Sequence, residues 1–252
     1  MHLHLGRGEA QLSLDGSGGS LHRRGYRAAM GAAPLKENLA AGLIRLTGWD
    51  GSEPLVDPCC GSGVLLIEAA LAALQQAPGL ERRFALEGWA DFQPDLWDKE
   101  VDRARQRRRG DLTLPPLLGI ETDPTIADQA RANVEAAGLS GVIRIYTGSF
   151  QAEALPDGPG VLVCNPPYGQ RIGDEQELDA LYGALGQFVR QEASGWQLWL
   201  LSGNPKLTGA LRLKASRRIP VSNGGIDCRW LQYEIRCCLL YTSDAADEHS
   251  WG

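Results

Sequence analysis

The chain has 252 residues, of which 43% are hydrophobic and 22% charged, and its formal net charge is −6 at pH 7. This length suits one large α/β domain, or one domain with an appendage. The acidic balance argues against a self-sufficient nucleic-acid binder, because neutralising phosphates normally needs surplus Lys and Arg. No apolar stretch is long enough to cross a bilayer and no signal peptide is evident, so we predict a cytoplasmic protein without a membrane partner.

The six cysteines show neither a disulfide framework nor a zinc-binding pattern. Cys59-Cys60 and Cys237-Cys238 are adjacent pairs, which seldom bridge to each other, and no Cys-x-x-Cys spacing is present. His2 and His4 lie on a predicted strand and are interpreted as incidental. We therefore predict reduced thiols and no bound metal.

The chain opens with a predicted strand pair followed by a linker. Apolar and polar residues alternate over residues 1–15, and a stretch rich in glycine and serine then runs to Ser20. A strand pair with no domain to belong to suggests the end of an upstream domain. We assign residues 1–20 to such a remnant and its linker.

Helices and strands alternate through the middle of the chain. Pro34 is predicted to open a helix that Gly48 ends, since proline suits the first turn and glycine the C-terminus. The later predicted elements are strand 54–58, helix 64–76, a polar helix 95–109, strand 117–122, helix 124–137, strands 142–147 and 160–164, helix 177–192, strand 196–202, and strands 212–219 and 227–235 joined by a turn at 222–225. This order predicts an α/β fold with a mostly parallel sheet and one antiparallel member. Residues 237–252 follow no such pattern and are interpreted as a disordered or non-native tail.

The most informative segment is the predicted strand 160–164 and the residues that follow it, Asn165, Pro166, Pro167 and Tyr168. A buried parallel strand ends here in two rigid prolines, at the sheet edge where open α/β folds bind ligands. Asn165 offers a carbonyl oxygen that can accept from an exocyclic amine, and Tyr168 offers a flat face for a flipped base. The segment therefore predicts a site that handles the amino group of a planar base.

The loop after the first strand of the predicted sheet is typical of a cofactor site. Gly61 and Gly63 allow a tight turn and a close approach of the ligand. The loop lacks the third glycine of the dinucleotide fingerprint and the Lys-Ser/Thr of a P-loop. Asp57 disfavours a pyrophosphate and suits a cationic amino-acid group, so a nicotinamide oxidoreductase is disfavoured.

Two further strand ends carry polar residues suited to a nucleoside. Glu121 can accept from both ribose hydroxyls. Asp123 is predicted chiefly to cap the helix that begins at Pro124. Ser149 is placed to reach an adenine edge, and Phe150 either packs on the adenine face or belongs to the core.

Local basic clusters stand out against the acidic average. Arg23, Arg24 and Arg27 surround an aromatic residue and are candidate RNA contacts, with a solvated surface as the alternative. The five arginines between 103 and 109 are interpreted as a solvated helix face.

These motifs, in this order, resemble the class I S-adenosylmethionine-dependent methyltransferases. Residues 57–63 are similar to their glycine loop, Glu121 to their ribose acid, and 165–168 to the Asn-Pro-Pro-Tyr motif of amino-group methylases. More closely, the chain resembles the bacterial large-subunit ribosomal RNA guanine-N2 methyltransferases, through these motifs and through Leu-His-Arg-Arg-Gly-Tyr-Arg at 21–27 and Ala-Pro-Leu-Lys-Glu-Asn-Leu-Ala-Ala at 33–41. The resemblance covers about residues 5 to 236.

The resemblance implies a Rossmann-like methyltransferase domain over residues 21–236, with a seven-stranded, mostly parallel sheet that ends in an antiparallel hairpin. It also implies S-adenosylmethionine as cofactor, 23S ribosomal RNA as substrate, and a THUMP RNA-binding domain of which residues 1–20 are the end. Ser149 stands where the family usually has an acid. The implied cofactor residues are Asp57, Pro58, Cys60, Gly61, Ser62, Gly63, Glu121, Asp123, Ser149 and Asn165.

In this interpretation, the Asn165 side-chain oxygen and the Pro166 carbonyl accept the two hydrogens of the guanine amino group. Pro167 stiffens the loop, and Tyr168 stacks on the flipped base. A tRNA guanine-N2 or DNA adenine-N6 methylase remains an alternative, because Asn-Pro-Pro-Tyr does not separate these substrates. A non-catalytic assembly factor that binds S-adenosylmethionine and RNA is an alternative from another class.

Overall fold

The chain begins with a hairpin and continues into a seven-stranded sheet. The structure, a computed structural model, describes residues 1–27, 35–168 and 175–236. Strands β1 (His2–Gly6) and β2 (Glu9–Ser13) form the hairpin. The strands of the large sheet are β3 (Leu55–Asp57), β4 (Leu117–Glu121), β5 (Ile143–Thr147), β6 (Val161–Cys164), β7 (Gln197–Ser202), β8 (Arg217–Asn223) and β9 (Ile226–Glu234).

Helices connect most of these strands. They are α1 (Glu37–Thr47), α2 (Val64–Ala73), α3 (Pro94–Arg107), α4 (Pro124–Ala136), α5 (Glu175–Glu192) and α6 (Pro205–Ala210), with short 3₁₀ turns at Ala85–Gly88 and Phe150–Ala152. The polar α3 buries none of its residues, so its predicted position at the surface is confirmed.

The strand order in the sheet is β5-β4-β3-β6-β7-β9-β8. All neighbouring pairs are parallel except those of β9, which is antiparallel to both β7 and β8. The predicted α/β fold, with a mostly parallel sheet and one antiparallel member, is confirmed. The chain moves outward from β3 to β5 and then returns to β6, so the sheet has a topological switch point between β3 and β6. Open α/β folds bind ligands at the carboxyl ends of such strands.

Side chains alternate between the two faces of the sheet, and each face has its own core. Leu55, Val163 and Trp199 share one core with α1 and α2. Val56 and Leu162 share the other core with α5. Because both faces are covered, the central strands carry apolar residues at nearly every position.

The C-terminal hairpin differs in detail from its prediction. β8 runs from Arg217 to Asn223 and not from 212 to 219, because Gly224 and Gly225 both have positive φ and close the hairpin in two residues. Helix α6 was not predicted, since six residues are too few to show a periodic pattern. Its local signals are Pro205 in the first turn and Asn204, whose side chain accepts from the Lys206 N–H at 3.0 Å.

Several predictions concern residues at the ends of the described ranges. The predicted helix start at Pro34 lies outside the described residues, and α1 begins at Glu37. The tail 237–252 and the Cys237-Cys238 pair also lie outside them. The predicted N-terminal strand pair is confirmed, and its residues are exposed. Its assignment to a THUMP domain stays a prediction.

Candidate active site

The loop between β3 and α2 reaches the carboxyl edge of the sheet, as its sequence predicts. Gly61 and Gly63 have φ values of +53° and +79°, which explains glycine at both positions. A side chain built at Gly61 would meet no atom within 4 Å, so the space beside this loop is open. The buried Asn133 of α4 holds the loop through a 3.0 Å hydrogen bond from its Nδ2 to the Ser62 carbonyl.

Glu121 at the end of β4 ties this loop to the next one. Its Oε2 accepts from the Gly61 N–H at 3.1 Å, and its Oε1 accepts from the Asp123 N–H at 3.0 Å. The Cys60 N–H also donates to the Ile120 carbonyl at 3.0 Å. The predicted ribose acid therefore lies against the predicted cofactor loop, fixed by backbone donors.

Asp57 is a buried carboxyl group at the start of the loop. Its Oδ1 accepts from the Cys59 N–H at 3.1 Å, and its side chain forms no ion pair with any residue that the structure describes. Burial raises its pKa to about 8, the Cys59 hydrogen bond lowers it, and the charge of Glu121 raises it. A cation placed here would favour the ionised carboxylate.

Two other predicted cofactor residues, Asp123 and Ser149, act as helix caps in this structure. Asp123 Oδ1 accepts from the backbone N–H groups of the first turn of α4, at 2.8 and 3.2 Å. Ser149 Oγ accepts from the Gln151 N–H at 3.3 Å. Phe150 belongs to the core, where its ring packs edge-on against Phe188 at 5.3 Å.

Pro58 and Cys60 are buried members of the loop. The Cys60 thiol belongs to the core on the α2 side of the sheet and lies close to Gly119, where an added Cβ would be 2.9 Å from the sulfur. Burial raises the pKa of this thiol well above its usual range. The thiol is therefore part of the packing, and only the backbone of Cys60 belongs to the surface of the loop.

Asn165 follows β6, directly beside β3 in the sheet. Its side-chain Oδ1 is buried and has no hydrogen-bond partner within the described ranges. A buried acceptor without a donor costs stability, so a ligand or a water molecule that donates to it binds favourably. The oxygen is free to accept from a donor that no described residue supplies.

Tyr168 is held by the C-terminal hairpin. Its hydroxyl accepts a 2.8 Å hydrogen bond from Asn223 Nδ2 and lies 3.7 Å from Cys228 Sγ. The ring passes over Gly203, where an added Cβ would lie only 3.2 Å from ring atom Cδ2. Burial is the main cause that raises the pKa of Tyr168 to about 12. The hydroxyl is therefore neutral, and the hairpin fixes the position of the ring.

Two of the three N-terminal arginines pair with buried carboxylates. Arg24 pairs with the buried Glu68 at 3.4 Å, and Arg27 lies 3.9 Å from the buried Glu37. The side chains of these two arginines are only 13% and 6% exposed, so in this structure they are largely buried ion-pair partners, and their contact with RNA stays a prediction. Only Arg23 is exposed. The sequence could not show this, because Glu68 is distant from Arg24 along the chain and Glu37 is part of the amphipathic helix α1.

Asn133 and Asn223 are site residues that the sequence analysis missed. Asn133 lies inside a helical pattern with no motif around it. Asn223 was interpreted only as part of a turn, because it precedes two glycines. Their partners lie 71 and 55 residues away along the chain.

Neither a metal-binding cluster nor a membrane-spanning helix is found in the ranges that the structure describes. These ranges contain no group of three or more His, Cys, Asp or Glu side chains arranged to hold a metal ion. None of their helices combines the length and the apolar character that crossing a bilayer requires.

Comparison with known proteins identifies relatives over most of the chain. Residues 24–232 match the model of the RMKL-like methyltransferase domain. The Ribosomal RNA large subunit methyltransferase K/L of Syntrophotalea carbinolica is 42% identical over 97% of this chain, which spans only 36% of that protein.

Solved structures show the same fold. SMU.472, solved in complex with SAH, is 32% identical, with a TM-score of 0.83 over 88% of this chain and 58% of its own. A Listeria monocytogenes protein described as a predicted N6-adenine-specific DNA methylase is 33% identical, with a TM-score of 0.81 over 88% of this chain and 57% of its own.

Proposed function

The chain belongs to the family of RMKL-like methyltransferase domains, and from this membership we propose that it methylates the exocyclic N2 amine of a guanine in 23S ribosomal RNA, with S-adenosylmethionine as the donor. The proposal is supported by the name of the Syntrophotalea relative and by SAH in a structural neighbour. Because the chain spans about a third of that relative, the activity of the whole relative does not transfer by itself. Methylation of ribosomal RNA agrees with a cytoplasmic location.

The residues at the carboxyl edge fit this cofactor. Asp57 is a buried carboxyl without a cation among its described neighbours, and it suits the ammonium group of the methionine part. Glu121 lies beside the open space at Gly61 and suits the ribose hydroxyls. When bound, S-adenosylmethionine supplies an activated methyl group, so the chain has to hold and orient both reactants and exclude water.

The single observation that carries the proposal is the buried Oδ1 of Asn165, to which no residue in the described ranges donates a hydrogen bond. A guanine amino group is a poor nucleophile, because its lone pair is delocalised into the ring. Asn165 Oδ1 and the Pro166 carbonyl accept its two hydrogens, which favours a tetrahedral nitrogen during attack. Pro166 and Pro167 keep these acceptors fixed, and Tyr168 stacks on the base. Transfer would form the new C–N bond at this nitrogen as the methyl C–S bond of the sulfonium breaks, releasing S-adenosylhomocysteine, and the surplus amine proton would pass to solvent water when the product leaves.

The decisive experiment presents the protein with labelled S-adenosylmethionine and, separately, unmodified 23S ribosomal RNA, tRNA and DNA. We expect label in the ribosomal RNA, on the N2 of one guanine, located by nuclease digestion and mass spectrometry. Label in tRNA alone would contradict 23S ribosomal RNA as the substrate and would favour a tRNA guanine-N2 methylase.

Adenine-N6 methylation of DNA is a second candidate, favoured by the description of the Listeria structure. Label on DNA adenine in the same experiment would select it. If the protein bound the cofactor and RNA but transferred no label, the result would favour a non-catalytic assembly factor.

A further inference from the structure

One long segment of this acidic chain carries more basic than acidic residues. Residues 203–236 contain seven lysines and arginines but only two acidic residues, Asp227 and Glu234, whereas the rest of the chain has 18 basic against 29 acidic residues. We call the seven cations the basic strip: Lys206, Arg212, Lys214, Arg217, Arg218, Arg229 and Arg236.

All seven side chains of the basic strip belong to exposed residues. Within the described part of the chain, none of them forms an ion pair with an acidic side chain. Other basic groups are engaged: Arg24 is neutralised in the interior, and Arg103 and Arg105 on α3 pair with acidic residues of their own helix. The basic strip therefore holds charge that no described neighbour compensates.

One end of the basic strip lies beside the candidate active site. The strip occupies α6, the connection to β8, the β8–β9 hairpin and, at Arg236, the residues that follow β9, and β8 is the edge strand of the sheet. Asn223 at the end of β8 bonds to Tyr168. The six steps from Arg217 to Asn223 span roughly 20 Å of strand, so the charge extends away from the site over a distance of that order.

We propose that the basic strip binds the sugar–phosphate backbone of the RNA next to the methylated base. The inference rests on the proposed function, and it names the surface that this site needs. Five of the seven cations are arginines, whose planar donors suit phosphate. An apolar protein partner is disfavoured, because it would cover these cations without supplying counter-charges.

The test compares two triple variants with the same loss of charge. The first is Lys206→Gln, Arg218→Gln, Arg229→Gln in the basic strip. The control is Arg103→Gln, Arg105→Gln, Arg107→Gln on the exposed face of α3. Binding of an unmodified ribosomal RNA fragment is titrated at several salt concentrations, and SAH affinity and thermal unfolding show that each variant is folded.

For the strip variant we expect about tenfold to hundredfold weaker RNA binding. We also expect the slope of log K against the logarithm of the salt concentration to become shallower by roughly two to three, because each lost phosphate contact reduces this slope by about 0.7–0.9. The control should bind like the parent protein. Unchanged affinity and salt slope in a folded strip variant would overturn the inference. The inference would also be overturned if the strip variant lost binding to polyglutamate as strongly as binding to RNA, because the basic strip would then bind acidic polymers in general.

The two proposals fail separately. If the parent protein methylates RNA while the strip variant binds it normally, only the assignment of the basic strip is wrong. If RNA binding depends on the basic strip but no label is transferred to any nucleic acid, only the proposed function is wrong.

Discussion

The side-chain amide of Asn223 donates a 2.8 Å hydrogen bond to the hydroxyl oxygen of Tyr168, across 55 residues of sequence. Asn223 ends the edge strand β8, and Tyr168 ends the Asn-Pro-Pro-Tyr segment that follows β6. Gly203 leaves room for the ring between them. The antiparallel end of the sheet therefore positions a residue of the candidate active site.

Asn223→Ala should lower kcat/KM for the nucleic-acid substrate about fivefold, since one hydrogen bond contributes about 1 kcal/mol. Cofactor affinity should not change. The Tyr168→Phe variant removes the same bond, so the two effects should not add in a double-mutant cycle. Ser222→Ala, an exposed neighbour on the opposite face of β8, is the control. Additive effects would show that the bond does not act on catalysis.

Asn165→Ala should reduce methyl transfer by about 100-fold or more, the loss expected when a positioned polar group of the transition state is removed. SAH affinity, measured by calorimetry, should stay within about twofold. Because the buried Oδ1 has no partner within the described ranges, the unfolding temperature should stay the same or rise. A variant with lower stability and normal transfer would assign Asn165 to folding.

Binding of S-adenosylmethionine should release a proton near pH 7. Asp57 has a pKa of about 8 in the free protein, so it is mainly protonated there, and a bound ammonium group favours its ionised form. Affinity should therefore rise with pH up to about 8. Calorimetry in two buffers of different ionisation enthalpy measures the release, and Asp57→Asn should abolish the difference between them.

The raised pKa of Asp57 also predicts how the free energy of unfolding changes with pH. Its pKa is raised from 3.8 in the unfolded chain to about 8 in the folded protein, so the folded protein binds more protons between these values. The free energy of unfolding should fall as pH rises through that window. Asp57→Asn should flatten this slope in denaturant titrations, and an unchanged slope would show that Asp57 ionises normally.

Arg24→Ala should destabilise the fold by about 3 kcal/mol, because it leaves Glu68 buried without its cation. Burial already raises the pKa of Glu68, and Arg24 lowers it. The exposed neighbour Arg23 offers the control, and Arg23→Ala should change stability by less than about 0.5 kcal/mol. Equal stabilities in urea, with RNA binding lost only for Arg24→Ala, would restore the sequence-based interpretation.

Two glycines of α5 should respond in opposite ways to alanine. A Cβ at Gly186 would overlap the Leu211 carbonyl oxygen, so Gly186→Ala should cost about 3 kcal/mol or prevent folding. A Cβ at Gly183 would meet no atom within 4 Å, so Gly183→Ala should stabilise the helix by about 0.5–1 kcal/mol. Thermal unfolding measures both, and similar shifts would contradict the close approach of α5 to Leu211.

The amino-acid sequence by itself determined the elements of the sheet and two of its loops. Apolar runs, proline and glycine act on the backbone within a few residues, so strands β3 to β7 and the segments around Asp57 and Asn165 were predictable. The order of helices and strands then restricts the topology, because crossovers between parallel strands are short and right-handed.

Only the tertiary structure decided which of the charged and polar residues face each other. Arg24 and Lys206 are both basic residues, and no sequence pattern predicts which of them is buried. Arg24 is buried against Glu68, whereas Lys206 is exposed beside the site. Asn223 gained its contact with Tyr168 because β9 inserts between β7 and β8 and turns the hairpin toward the Asn-Pro-Pro-Tyr loop. Such contacts join residues that are distant along the chain, so no local sequence pattern predicts them.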